Sequence, residues 1–538
     1  MRTAIAKRIK QTAPAQPTRK AQMLSFAAPS RGWIRNENLA AGKPAGATVL
    51  DNFVPLATGA RLRKGSDLYA TVGSGDRVGA IITYTTGATS KLFVANENNI
   101  YDVTTVADET VSPAATVTGL ANGDWQWVQF TTTGGTFIRA VNGADTPLIY
   151  DGSSWGTTPA ISASGLTDSD LSHVWAFKNR LFFVEGDTFN AWYLPVDSIS
   201  GTAVKLPLGG EFTLGGSLYF GATWSVDAGD GMDEKCVFIS TEGEVVIFGG
   251  TDPSSASTWG KVGNYRIGKP LGPRAIVKGG GDLAIATDIG LIPLSKAVQI
   301  DKAAIGAQAI SYAIEEEWKA EVAQRVGIHP WHVEMWPTGQ IAIVAMPSYS
   351  SLPHRCFVAN LRTGAWSRFT GWDTHCLGLF QDRMFFGTED GLVIEAEVGG
   401  SDQGDAYTCT YVGLFSDCGR AILPKQPTLM RPVYVAAAEV GDKVSVAYDY
   451  TVTLPTAPDA ASVTGGANTW DNGLWNQAIW QAGVETQTFQ FWRAPAPISP
   501  GVGFALAPIW MVTLGQESEP DVQLVRIDMQ FEIGDAPG

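Results

Sequence analysis

The residues that could do chemistry are few and scattered. The chain has five histidines. Four of them fall in its second half: His329 and His332 with an HxxH spacing, then His354 and His375. Zinc needs three or four such donors converging with a carboxylate or a cysteine. Pro330 and Trp331 stand inside the HxxH pair, where a metalloprotease would require a continuous helix. The spacing therefore implies ordinary loop or strand histidines, and no metal site is expected. A second group, Asp227, Asp230, Asp233 and Glu234 in DAGDGMDE, has the carboxylates and glycines that calcium favours. It lacks the D-x-[DN]-x-[DN]-G order of an EF-hand, so it reads as a solvated turn between repeated units. Its functional alternative is a loop facing a lumen or a neighbouring subunit. A glycosidase would set two carboxylates across a sugar between aromatic platforms. The 18 tryptophans could supply platforms, but the S-x-D-x-G-x-x-W box is absent. YDGSSW (150–155) and TDPSSASTW (251–259) do not fit it. No G-x-S-x-G, Walker loop or G-x-G-x-x-G follows a strand. Neither catalytic residues nor a cofactor is expected, and the tryptophans read as packing.

The elements that would position any site belong to a repeated unit: apolar strand, glycine or asparagine turn, apolar strand. It reads KLFVANENNIYDV from Lys91, TPLIYDGSSW ending at Trp155, LFFVEGDTFNAWYL from Leu181 and CVFISTEGEVVIF from Cys236. It continues as LAIATDIGLIPL from Leu283, RCFVANLRTGAW ending at Trp366 and RMFFGTEDGLVIEA from Arg383. Each is a β-hairpin in pattern. A recurrence every roughly 30–55 residues points to four-stranded blades around an axis. The segments 69–90 and 125–141 read as further strand pairs. The expected fold is all-β: a β-propeller-like body over 46–400, an added β-sandwich or platform over 405–538, and an extended arm over 1–45.

One stretch breaks the pattern. Over 302–325, Ile310, Ala313, Ile314, Trp318 and Val322 share one face of a helix, packed outside the propeller or between blades. Beyond the SDQGD linker, strands are expected at 432–438, 443–452, 488–494, 508–514 and 522–533. In the last, Gln523, Val525, Ile527, Met529, Phe531 and Ile533 form the mostly apolar face, and the alternate residues the wet one.

Net charge is −15, yet the first 36 residues carry eight Arg or Lys and no acid, which leaves −23 on the remainder. Arg2, Lys7, Arg8, Lys10, Arg19 and Lys20 make the arm a candidate contact with an acidic partner. Five cysteines without a CxxC pair give no disulfide framework, which favours a reducing compartment. No apolar run is long enough to span a membrane, and the basic N-terminus lacks the apolar core of a signal peptide.

HVWAFKNRLFFVEGDTFNAWYLPVDSISGTA (173–203) and FGATWSVDAGDGMDEKCVFISTEGEVVIFGGTDPSSASTWGKVG (220–263), with KPLG just after, resemble tail structural proteins of short-tailed double-stranded-DNA bacteriophages. The resemblance is to the tail nozzle, or tail tubular protein B type, and is best over about 145–300. It implies a homohexamer with a propeller-like body and a platform attached to the adaptor or portal. It also implies a tube that conducts the genome without sequence-specific binding, tail fibres as further neighbours, and a place in the virion tail after assembly in the host cytoplasm. An acidic body suits such a conduit, since a wall that paired phosphates would trap DNA. Two rival readings stand beside it. One is a carbohydrate-binding or carbohydrate-cleaving propeller, such as a receptor-binding tail protein. The other is a cellular propeller scaffold.

Overall fold

The computed structural model describes residues 21–36, 44–87, 89–227, 232–325, 327–347, 349, 351–436, 440–460, 488–491, 501–515 and 521–534. Five four-stranded sheets, one three-stranded sheet and one half of an eight-stranded sheet are antiparallel and follow one another along the chain. They are the blades of a β-propeller. Blade one spans 78–118, blade two 126–156, blade three 171–207, blade four 218–266, blade five 276–293, blade six 332–370 and blade seven 376–396. Their innermost strands are Val78–Thr86, Gln126–Thr132, Leu171–Phe177, Leu218–Asp227, Ile276–Gly279, His332–Trp336 and Cys376–Phe380. All seven line one axial cavity, and the innermost strand of blade seven packs on that of blade one. Blade seven takes its outer strand from far upstream: Ser66–Thr71 pairs antiparallel with Leu392–Ala396.

Each of the seven repeated hairpins falls in a different blade. In five blades it forms the second and third strands, and in blade two the outer pair, Leu148–Tyr150 and Trp155–Gly156. In blade six it also forms the outer pair, Arg355–Asn360 and Trp366–Thr370. The inner hairpins of blades three, five and seven close with two residues at positive φ: Lys178 and Asn179, Gly280 and Gly281, Gln381 and Asp382. That conformation matches the right-handed twist of paired strands. Middle strands are buried on both faces, so Leu181, Phe182, Phe183 and Val184 are all fully buried and the sequence reads as an unbroken apolar run. Neighbouring blades share apolar seams. Ile82, Phe93 and Ile100 meet Trp125, Ile138 and Tyr150 between blades one and two. Trp175 and Phe182 meet Phe238, Phe248 and Trp259 between blades three and four.

The second body is a β-sandwich built from both ends of the chain. One sheet runs Phe53–Pro55, Ala60–Leu62, Gln523–Ile533, Lys425–Ala436, Thr488–Phe491. The other, Ala47–Asp51, Tyr407–Gly413, Leu506–Leu514, Gly441–Tyr448, continues blade six through a parallel pairing of Asp51 with Arg368. Phe53, Leu62, Tyr411, Met430, Tyr434, Trp510, Leu524 and Met529 fill the space between them, in one core with Trp318, Trp331 and Phe357 of the propeller side.

Three expectations are corrected here. Gln22–Ala27, inside the expected arm, pairs in register with Gln523–Ile533, and its alternate Leu24 and Phe26 pack on the sandwich core. With it, 47–62 belongs to the sandwich, so the propeller begins at Ser66 and not at residue 46. In the last strand, Leu524 is buried and Val525 is 36% exposed. A bulge there skips Val525 in the pairing with Lys425–Ala436, and one extra residue flips the period-two pattern. The expected helix is broken into Lys302–Ile305, 3-10 turns at Gly306–Gln308 and Tyr312–Ile314, and the helix Glu315–Arg325. Ile310 is exposed, whereas Ile314, Trp318 and Val322 are buried. Trp318 stacks on Phe357 at 5.5 Å and donates from Nε1 to Thr287 O at 2.8 Å, so this segment wedges between blades five and six. Among the described residues, no helix is long and apolar enough to cross a membrane.

Candidate functional site

Innermost strands form their ladders within their own blade; single backbone bonds, Val333 N–H to Arg274 O and Val78 N–H to Thr388 O, both at 3.0 Å, and side chains join one blade to the next. Trp127 Nε1 donates to Ile81 O at 3.2 Å, Thr223 Oγ1 to Ala176 O at 2.6 Å, and the Cys376 thiol to Val78 O at 3.4 Å. Two histidines do the same. His173 Nε2 lies 3.0 Å from Gly221 O, and His332 Nδ1 accepts from the Leu377 N–H at 3.0 Å. Burial pushes His173 down to about 4 and lowers His332 as well, so both rings are neutral at pH 7. They tie blades together.

The space these side chains enclose is about 400 Å³. Arg274 projects into it, with Nε 3.3 Å from Gln126 Oε1 and the guanidinium 5.6 Å from the Trp127 ring centroid. Glu334, Lys278 and Trp175 complete the polar and aromatic wall. A cavity of this size suits a small molecule. It is far too small for a nucleic acid duplex.

A second constellation sits where the chain enters the inner strands of blades six and seven. His329 precedes blade six, and Asp373 and His375 precede blade seven. Glu389 lies in the turn between the second and third strands of blade seven, and His354 before the third strand of blade six. Asp373 Oδ2 accepts the Glu389 N–H at 2.8 Å, which fixes that turn. His354 Nδ1 and His375 Nε2 approach Asp373 Oδ1 at 3.0 and 3.1 Å. His375 Nε2 also lies 3.4 Å from Glu389 Oε2. Ring nitrogens of His329 and His375 and a Glu389 oxygen all fall within 4.8 Å of one another. These are metal-ligating residue types brought together, against the expectation of scattered histidines. The HxxH spacing misled, because His329 and His332 diverge: His332 turns to the axial cavity, and His329 meets His375 instead. Glu389 occupies the turn of the seventh repeat, TEDG, where repetition alone gave no reason to single it out.

The other expected positions fare differently. Arg2, Lys7, Arg8, Lys10, Arg19 and Lys20 lie outside the described residues, as does Asp230. Asp227 and Asp233 are in paired strands, opposite Met232 and Val226. Both thus belong to the inner hairpin of blade four, where a turn between blades was expected. Glu234 pairs with Lys178 of blade three at 3.1 Å, a half-buried bridge between blades. All five cysteines are free.

No family model and no curated protein matches this chain. Among solved structures it is similar to BBS1N in complex with ARL6DN (TM-score 0.37, 10% identity, covering 66% of this chain and 100% of that one). It is similar also to Chaetomium thermophilum Raptor (TM-score 0.38, 9% identity, 63% and 30%). A third is the Cps50 (Swd1) beta-propeller domain of Myceliophteria thermophila (TM-score 0.36, 12% identity, 62% and 99%). The propeller assignment rests on the sheet geometry above, and these proteins carry nothing about what this chain does.

Proposed function

We propose that this chain is a structural subunit of a phage tail. In this reading several copies, six by the resemblance, form a ring-shaped nozzle that attaches to the adaptor or portal and lets the genome through, with tail fibres as further neighbours. It performs no reaction and holds no cofactor in that role, and it acts in the virion after assembly in the host cytoplasm. The phage resemblance of 173–203 and 220–263 motivates the reading. The observation that carries it is an apolar end of the sandwich. Ile422, Tyr450, Val502 and Phe504 are 77, 44, 60 and 44% exposed. Lys425 Nζ gathers their loops by donating to Leu423 O and Phe504 O, and Asp449 by accepting the Phe504 N–H. Contiguous exposed apolar side chains mark interfaces, and obligate ones are more apolar than ordinary surface. A second copy of this chain is the occupant assigned to that end. The net charge of −23 beyond the arm, repeated in each copy, would keep a polyanion sliding and unbound.

Mass photometry tests this. The purified chain, alone and mixed with its adaptor and portal, should give particles several times the 57.3 kDa of one copy, and Phe504→Asp with Ile422→Asp should dissolve them. A monomer under both conditions would overturn the reading. One observation favours the carbohydrate alternative: Trp127, Trp175, Gln126, Arg274 and Glu334 share the axial cavity. Glycan binding by a monomer, abolished by Arg274→Ala, would support that reading instead.

A further inference from the structure

The cluster at the seam of blades six and seven has a feature that hydrogen bonding leaves unexplained. Asp373 Oδ1, His375 Nδ1, His375 Nε2 and Glu389 Oε2 are buried and make no hydrogen bond. Yet His375 Nε2 is only 3.1 and 3.4 Å from the two oxygens. Donor and acceptor are near but out of line. A buried group left so is costly, by about 1–3 kcal/mol and more when charged. Atoms 3–3.5 Å apart that aim past one another are how ligands sit around a shared ion, since bonds of about 2.0–2.2 Å to zinc hold neighbouring donors at that separation.

We propose that His329, His375 and Glu389, with Asp373 as fourth donor, bind one divalent cation of the zinc class and so tie blade six to blade seven. Two imidazoles and two carboxylates are a donor set for such an ion, because imidazole favours zinc and its transition-metal neighbours over calcium or magnesium. Two carboxylates balance its charge. Arg77 beside the cluster is already paired with Glu97 at 2.7 Å and Asp124 at 2.9 Å, and His354 Nδ1 approaches the Asp373 carboxylate at 3.0 Å. Access exists: a cavity of about 270 Å³ lined by His354, Asp373, Glu389, Asp390 and Asp402 reaches two of the ligands. The ligands come from three separated stretches of chain. A bound ion would therefore fasten the segment entering blade six to the blade that the upstream strand Ser66–Thr71 completes.

The test uses the full chain, stripped with a chelator and dialysed. Calorimetric titration with Zn²⁺ should give one equivalent per chain. Co²⁺ should give the visible absorption of a low-symmetry nitrogen and oxygen site, and Zn²⁺ should raise the melting midpoint reversibly to chelator. His329→Gln and Glu389→Gln, both at partly buried positions, should each weaken Zn²⁺ binding by more than about 10-fold, the least that loss of even a supporting partner costs. Asp390→Asn, the exposed neighbouring acid, should leave it unchanged. No stoichiometric uptake by the parent chain overturns the proposal. So does parental affinity in both His329→Gln and Glu389→Gln. If His375→Ala fails to fold, those two variants still decide.

Discussion

Arg63 joins three parts of the molecule, and its removal should loosen all of them. It follows the sandwich strand Ala60–Leu62 and precedes the strand Ser66–Thr71 that completes blade seven. It is 1% exposed. Nε donates to Asn52 Oδ1 at 2.9 Å, and the two terminal nitrogens fork onto Asp402 at 2.9 and 2.5 Å. The remaining N–H groups reach Lys64 O at 2.9 Å and Thr370 O, the end of blade six, at 3.2 Å. All five donors of the guanidinium are thus used. The group also lies 3.8 Å from the Tyr407 ring centroid and 4.8 Å from that of Trp372. In Arg63→Ala, Asp402 keeps only Ser66 Oγ and Trp372 Nε1 among these side-chain donors. Stranding one partner of a buried pair costs about 3–5 kcal/mol. Arg63→Lys keeps the charge but not the planar fork and should fall between. Combined with Asp402→Asn, the cycle should return a coupling of about 0.5–3 kcal/mol. The two bodies need not unfold together, so a single urea midpoint is not enough. Amide exchange over Ser66–Thr71 should accelerate in Arg63→Ala along with the midpoint shift. Parental protection there, with a parental midpoint, would refute the clamp.

Four further outcomes are expected. Trp175 is 6% exposed and stacks on Phe182 at 5.4 Å, so Trp175→Ala should cost about 3–5 kcal/mol in denaturant; parental stability with lost glycan binding would instead favour the carbohydrate reading. Glu244 is pushed up by burial but held lower by bonds from Thr213 and Leu214. Because its folded value is depressed, that stability is present above the unfolded value of about 4.3 and lost as pH falls; Glu244→Gln should cost about 1–3 kcal/mol at pH 7, with the gap to the parent closing in denaturant titrations under acid. Arg139 is 1% exposed, its guanidinium nitrogens make no hydrogen bond, and burial lowers it to about 10; Arg139→Met should be neutral or stabilising by up to about 4 kcal/mol, and a large loss in melting midpoint would show a partner for that charge. Deleting residues 1–20 should leave the melting midpoint unchanged and weaken assembly with an acidic partner, most visibly at low salt, where exposed charges are least screened, whereas deletion through Ala27 should lower the midpoint by removing the strand paired with Gln523–Ile533.

The blades were legible because their physics is local. A two-to-four-residue polar turn between apolar runs forms a hairpin wherever it occurs, so all seven repeats were found in register with the structure. The sandwich was half legible. Its C-terminal strands carry β patterns, but Ala47–Asp51 and Ala60–Leu62 pair with partners more than 300 residues away, and nothing local announces such a pairing. Val525 shows the same limit at the scale of one residue: a bulge depends on the partner strand, and the alternation read from one strand alone cannot contain it. The metal-type cluster was hidden for that reason too. His329 and His375 lie on different blades, and only ring closure brings them face to face. Sequence spacing set His329 beside His332, three residues along the chain, yet His332 serves the axial cavity.

The axial cavity also constrains the proposed conduit. His173, His332, Thr223 and Trp127 bridge neighbouring inner strands, and Arg274 projects between them, so opening the axis would break the bonds that hold the blades in a circle. A passage for DNA under the proposed function must therefore lie between copies, and the outer surfaces of blades and sandwich become its walls. Not every acid on those surfaces is then available to repel phosphate. Glu234 is bound to Lys178 and Asp252 to Arg180, which neutralises acids on blade four and at its hairpin. The repulsive wall has to come from acids without such cations. Asp108 and Asp151, whose carboxylates are held by Thr110 and by Ser153 and Ser154, bond to neutral donors, and under the proposed function acids of this kind on blades one and two would contribute to that wall.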